Sequence, residues 1–214
     1  MAFDPRTHYQ DHRTAEEYDR ERFSSLSGKV FQWAERRSLE QIVRRLPRGS
    51  RILDAPCGTG RLLDLFLRLD LTVVCADISA EMLAVARSRT LQWNGRISFS
   101  RMDLNQIPLA DRSVAATFSI RFLPHIPPDE RALMLREFRR VSQSWVVLSL
   151  SLSTPWHRFR RRIKRWLGHS APVRHPVTSE ALAVELRQAG LREVRRVWTC
   201  PLLSEQVLVA CERG

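Results

Sequence analysis

Residues 49–63 read Gly-Ser-Arg-Ile-Leu-Asp-Ala-Pro-Cys-Gly-Thr-Gly-Arg-Leu-Leu, and this stretch restricts the chain to few folds. A short apolar strand (Ile52, Leu53) ends in an acid, Asp54, and turns through a loop holding Gly58 and Gly60. A helical run follows, with Leu62, Leu63, Leu65 and Phe66 at its apolar positions. Glycines at such a turn let a ligand approach backbone that side chains otherwise block. The helix N-terminus adds unpaired N–H groups. An acid at the strand end suits an amine or a hydroxyl better than a phosphate. The loop therefore reads as a seat for a nucleoside-like ligand carrying positive charge.

Strand-like and helix-like runs alternate around it: strand 51–55, helix 59–69, strand 71–76, helix 79–92, strand 96–101, strand 114–119, helix 128–141 and strand 144–151. This alternation predicts a parallel sheet covered on both faces. Upstream, 14–24 and 27–46 read as two helices, the second stopped by Pro47-Arg48-Gly49, so that 1–46 forms an N-terminal helical cap. Downstream, a helix at 178–189 closed by Gly190 precedes strands at 192–199 and 203–211. Two final strands with no helix between them predict a hairpin, and the apolar run 207–210 fits a buried strand.

A chain of 214 residues is expected to form one domain, 1–214, with a core of its own. No run approaches the roughly 18 apolar residues of a membrane span, and the N-terminus lacks a secretory pattern, so a soluble, cytoplasmic protein is expected. Cys57, Cys75, Cys200 and Cys211 form no CxxC and no Cys/His ligand spacing, which indicates neither a metal site nor a disulfide framework. The net charge of +12 comes from 33 Arg and 2 Lys against 23 acids. A positive field favours anionic partners such as RNA, phospholipid or an acidic metabolite.

The segment Leu53-Asp54-Ala55-Pro56-Cys57-Gly58-Thr59-Gly60 resembles motif I of the class I S-adenosylmethionine-dependent methyltransferases. The likeness continues in order. Val73-Val74-Cys75-Ala76-Asp77-Ile78-Ser79 with Met82-Leu83 resembles the second strand, its terminal acid and the next helix. Met102-Asp103-Leu104, followed by Ile107-Pro108-Leu109-Ala110-Asp111-Arg112-Ser113-Val114, resembles the family's third block. Phe118-Ser119-Ile120-Arg121-Phe122-Leu123-Pro124-His125-Ile126 resembles the fourth strand and its exit loop. The subgroup it is most similar to is the small "type 11" class, which includes quinone-biosynthesis methyltransferases. The resemblance implies an α/β, doubly wound, Rossmann-like seven-stranded mixed sheet with an antiparallel last strand, and S-adenosyl-L-methionine as cofactor.

By that resemblance, Asp54, Ala55, Cys57, Gly58, Thr59 and Gly60 surround the methionine part of the cofactor. Asp77 takes both ribose hydroxyls, since a carboxylate matches a vicinal diol. Asp103 and the backbone at Leu104 meet the adenine amino group, with Ile78 and Met82 flanking the ring. Ser119 and Ile120 stand where sulfonium and acceptor meet, at the carboxyl end of a parallel strand. Tyr18 resembles a tyrosine that closes over the cofactor, or packs as an ordinary helix residue. His125 reads either as a general base, for which its pKa range is suited, or as a packing histidine. Arg121 reads as a seat for an anionic acceptor or as a loop surface residue. Pro56 replaces a glycine common in the family and removes an N–H from the loop. A dinucleotide fingerprint is disfavoured, because Leu63 stands where its third glycine belongs.

Residues 154–176 form a basic amphipathic insertion with seven cationic side chains and no acid. At helical spacing, Trp156, Phe159, Ile163, Trp166 and Leu167 share one stripe and the basic residues take the remainder. Such a helix packs its apolar face on the domain, lies on an anionic membrane through 156–167, or grips an RNA backbone. The expected activity is methyl transfer to a small or lipid-like acceptor, in the cytoplasm or peripherally at the inner membrane face. The alternatives are RNA methylation and a non-catalytic, cofactor-binding membrane or partner module.

Overall fold

The computed structural model describes residues 26–93, 95–166, 175–199 and 204–214. Its centre is a seven-stranded sheet in the order β3-β2-β1-β4-β5-β7-β6. The strands are β1 (Arg51–Asp54), β2 (Thr72–Asp77), β3 (Ile97–Arg101), β4 (Val114–Ser119), β5 (Ser142–Ser151), β6 (Leu191–Trp198) and β7 (Gln206–Arg213). Neighbours among β1 to β5 pair in parallel, while β7 lies antiparallel between β5 and β6. The expected fold is therefore the observed one, including the antiparallel closing strand.

Helices cover both faces: α1 (Leu26–Val43), α2 (Leu63–Arg68), α3 (Ala80–Ser88), α4 (Pro128–Val141), α5 (Pro155–Trp166) and α6 (Ser179–Gln188). Successive strand residues point to opposite faces, and the two cores follow from that. Ile52, Val73, Phe118 and Val147 pack with Leu39 and Ile42 of α1 and Phe66 of α2. Leu53, Val74, Val146 and Leu148 pack with Phe138 of α4 and Leu182 of α6 on the other side. Rings of Phe66 and Phe118, 4.9 Å apart, lock α2 onto β4.

Local chemistry sets the helix ends. The Ser79 side chain accepts the Met82 N–H at the start of α3, and Thr178 accepts from Ala181 at the start of α6. Pro128 opens α4 with Asp129 and Glu130 in its first turn and Arg139 and Arg140 in its last, the arrangement that complements a helix dipole.

The helix expected at 27–46 ends at Val43, and two other helix boundaries differ further from the sequence expectation. The helix expected at 59–69 begins only at Leu63, because Gly58 and Gly60 hold φ of 53° and 74°, which a right-handed helix cannot contain. The helix expected at 79–92 ends at Ser88, and a short 3-10 turn, Leu91–Trp93, follows.

Candidate functional site

Strand order reverses between β1 and β4, which is where an open α/β sheet opens a crevice at its carboxyl edge. Asp77, Asp54 and Ser119 end the three adjacent strands β2, β1 and β4. Strand spacing of about 4.8 Å spreads them over roughly 10 Å along that edge.

The loop after β1 is tied to the end of β2. Cys57 N–H donates to the Ala76 carbonyl at 2.8 Å, and Ala55 N–H donates to Phe118 O at 2.9 Å. Asp77 gathers the rest: its Oδ2 accepts Gly58 N–H at 2.9 Å and its Oδ1 accepts Ser79 N–H at 3.0 Å. Each oxygen keeps a lone pair for a further donor. Burial pushes the Asp77 carboxyl up from its ordinary value, and the backbone N–H groups partly offset that.

The two glycines do different work. A side chain at Gly58 would meet nothing within 4 Å, so its face of the loop is open. A Cβ at Gly60 would stand 2.8 Å from Leu63 Cδ1 and 3.0 Å from Ala86 Cβ, so Gly60 lets the loop press against α2 and α3. The Thr59 carbonyl accepts from Arg89 at 3.2 Å, which fixes the loop's far side. Outside the loop lies a cavity of about 350 Å³ bordered by Gln32, Asp64, Arg89 and Trp93, facing α1 and α3 rather than the strand ends.

Asp54 is fully buried. Burial pushes its carboxyl up to about 8; Arg61 pulls against that and the neighbouring Asp77 adds to it. Arg61 is itself held by Glu35 of α1 at 2.9 Å. Glu35 also takes Arg121 Nε at 2.8 Å and the side-chain amide of Gln206. Glu35 is buried, and that burial would raise its pKa, yet Arg61 and Arg121 more than offset it and hold the carboxyl below its ordinary value. This cluster joins α1, the glycine loop, the β4 exit and the start of β7 at one edge. Sequence reading missed Glu35. The available signal was its helical spacing with the buried Leu39, Ile42 and Val43, which places an acid on an apolar face.

The remaining expected residues fall along the same edge with unequal exposure. Met82 is nearly covered, whereas Ile78 is exposed and its carbonyl accepts from Arg101 at 2.9 Å. Leu104 is buried, and the exposed Asp103 accepts the Asn105 N–H and side-chain amide through Oδ1. Ser119 is buried at the end of β4 with no hydrogen-bond partner for its Oγ. Arg121, with φ of 63°, donates its N–H to Ser149 Oγ of β5 at 2.5 Å. His125 is half-buried in the 3-10 turn Leu123–His125 that follows β4. Buried Arg131 braces that turn, donating to the Leu123 and Ile126 carbonyls while pairing with Glu185 at 2.7 Å. The Ala55-Pro56 bond is cis. Tyr18 and the helix expected at 14–24 lie outside the described residues.

The basic segment corrects the reading in which its apolar face packs on the domain. Among the described side chains of α5, His157 is the buried one, its ring stacked on Trp198 at 5.9 Å, while Trp156, Phe159, Ile163 and Trp166 face outward. Leu167 and the rest of 167–174 lie outside the described residues.

Sheet order, switch-point crevice and carboxylate-terminated strands define an α/β protein that fits an adenosyl group: an open glycine loop beside an acid with spare lone pairs. The chain matches the family described as "Methyltransferase domain" over residues 52–144. It is 28% identical over 193 residues to the malonyl-[acyl-carrier protein] O-methyltransferase of Pectobacterium atrosepticum, covering 77% of this chain and 73% of that one. It is 30% identical over 91 residues to the ubiquinone biosynthesis O-methyltransferase of Xanthomonas axonopodis pv. citri, covering 42% of this chain and 38% of that one. Its fold is similar to magnesium protoporphyrin IX methyltransferase from Synechocystis, solved with bound SAH, at a TM-score of 0.76 and 17% identity over 96% of this chain and 98% of that one. Among the described residues, no helix is long and apolar enough to cross a membrane.

Proposed function

We propose that the chain transfers a methyl group from S-adenosylmethionine to an oxygen of a small, lipid-like acceptor at the carboxyl ends of β4 and β5. The observation that carries this reading is the row Asp77, Asp54 and Ser119 on adjacent strand ends, with the last hydroxyl lacking a partner. Oxygen is favoured because the curated relatives above are named as O-methyltransferases.

A sulfonium supplies a methyl group ready for in-line displacement, so the protein's part is to bind, align and exclude water. Asp77 accepts the two ribose hydroxyls with the lone pairs its backbone donors leave. Asp54 faces the cofactor's ammonium, and the open face of Gly58 admits its amino-acid end. Asp103 and the Leu104 backbone meet the adenine amino group, with Ile78 and Met82 against the ring. Ser119 borders the sulfonium. His125, in the turn that Arg131 braces, takes the proton leaving the acceptor hydroxyl. Arg121 and the wall of Ile120 and Phe122 border the acceptor.

Incubation with methyl-labelled cofactor and a panel of hydrophobic phenols and carboxylic acids tests this. Label in the organic extract is expected, and no transfer to any member by protein that binds S-adenosylhomocysteine refutes the acceptor class. His125→Ala should lower kcat by roughly 10²-fold or more while leaving cofactor affinity alone. An unchanged rate removes His125 from proton transfer.

A further inference from the structure

We propose that helix α5 is a docking surface for an anionic lipid bilayer, seated by its outward apolar stripe and held by the arginines beside it. The proposal deepens the lipid-like acceptor reading and rests on it for its purpose, though not for its geometry.

The first observation is orientation. At about 100° per residue, Trp156, Phe159, Ile163 and Trp166 fall within an arc of roughly 80°. They are 52%, 56%, 41% and 85% exposed, whereas His157 is 1% exposed. An amphipathic helix that serves its own core buries its apolar stripe. Here the inward anchor is a polar ring: His157 stacks on Trp198, and its Nδ1 meets Thr154 Oγ1 at 2.8 Å. The stripe is thereby turned away from the domain, with a tryptophan near each end, about 15 Å apart along the axis. Tryptophan favours the boundary between headgroups and acyl chains, where its ring is buried and its N–H stays wet.

The second observation is charge. Residues 155–166 include Arg158, Arg160, Arg161, Arg162, Lys164 and Arg165 and no acid. Arg158 and Arg162 are exposed, beside the apolar stripe. A cationic border around an apolar stripe complements an anionic headgroup layer over a hydrocarbon interior. An RNA backbone would use the arginines and leave four large apolar side chains in water, so the bilayer is the better match.

The third observation is place. β5 runs parallel to β4, with Ser119 opposite Leu148, and α5 begins four residues after β5 ends. The helix therefore leaves the sheet from the edge that carries Ser119. A bilayer against α5 faces the acceptor end of the crevice, which gives a lipid-like acceptor a path that avoids water.

Sedimentation of the full chain with phosphatidylcholine vesicles, with and without about a third phosphatidylglycerol, tests the surface. Wild type should bind the anionic vesicles at least about tenfold more tightly than the neutral ones, and less at high salt. Trp156→Ser with Trp166→Ser, and separately Arg158→Glu with Arg162→Glu, should each cost roughly tenfold or more. Absence of vesicle binding, or equal binding by the tryptophan variant, overturns the proposal. So does tight single-stranded RNA binding that the tryptophan variant retains, which would assign the face to nucleic acid. Calorimetry with S-adenosylhomocysteine on the same samples separates the two readings. Protein that binds the nucleoside but not vesicles refutes docking alone, and protein that sediments but binds no nucleoside refutes the cofactor site.

Discussion

Gly58 donates its backbone N–H to Oδ2 of Asp77 at 2.9 Å, so the glycine loop and the acid ending β2 are one hydrogen-bonded unit. A carboxylate in this position orders the loop and keeps lone pairs for a diol. Both tasks need the charge, because Oδ1 already serves the Ser79 N–H at the start of α3.

Asp77→Ala should therefore weaken S-adenosylhomocysteine binding by about 1.5–3 kcal/mol, the scale of hydrogen bonds to a charged group. Asp77→Asn should recover part of this, since an amide oxygen still accepts one N–H. Calorimetry reads both directly. Unchanged affinity in Asp77→Ala would remove the ribose assignment.

Asp54 carries a pH signature. With its carboxyl pushed up to about 8 by burial, it is mostly protonated at pH 6.5 in the unliganded protein. An ammonium beside it favours the carboxylate, so binding at that pH expels a proton. Cofactor affinity should rise with pH, by up to tenfold per unit, and level off above about 8. The folded-state value lies above the unfolded one of 3.8. Its contribution to stability is thus fully present below that value and is lost as pH rises through about 8. Calorimetry in buffers of different ionisation enthalpy counts the proton. Asp54→Asn should bind without the slope, and a slope that survives the substitution assigns the proton elsewhere.

The sheet was legible because its central strands carry apolar runs between turn signals, and the hairpin of β6 and β7 follows from the missing crossover helix. Asp54 and Asp77 were legible for the same reason: an acid closing an apolar run is conspicuous. The start of α2 was not, since the leucines from 62 onward suggest a helix while the positive φ of Gly58 and Gly60 delays it. The direction of the α5 stripe was also hidden. Its period is visible, but the stacking of His157 on Trp198 that turns it outward is a contact between distant segments. Glu35 escaped on the same ground, because its partners Arg61, Arg121 and Gln206 lie 26, 86 and 171 residues away.

Glu35 supplies the last test, since it acts on stability and on Asp54 together. Two guanidiniums converge on one buried carboxylate, so Glu35→Gln leaves both with little compensation. Removing one partner from a buried ion pair costs about 3–5 kcal/mol, readable as a lower denaturant midpoint. Its folded-state value lies below the ordinary 4.5. The stability it confers is therefore present above that pH and is lost as pH falls through the lower folded value. The variant should lack this acid-sensitive limb. Freed of its acid, Arg61 presents a stronger positive field to Asp54, the last residue of β1. The pH at which cofactor affinity levels off should then move below about 8 in Glu35→Gln. A destabilised variant whose affinity profile stays where it was would show that Glu35 only braces the fold, whereas a shifted profile makes it a positioning residue acting through Arg61.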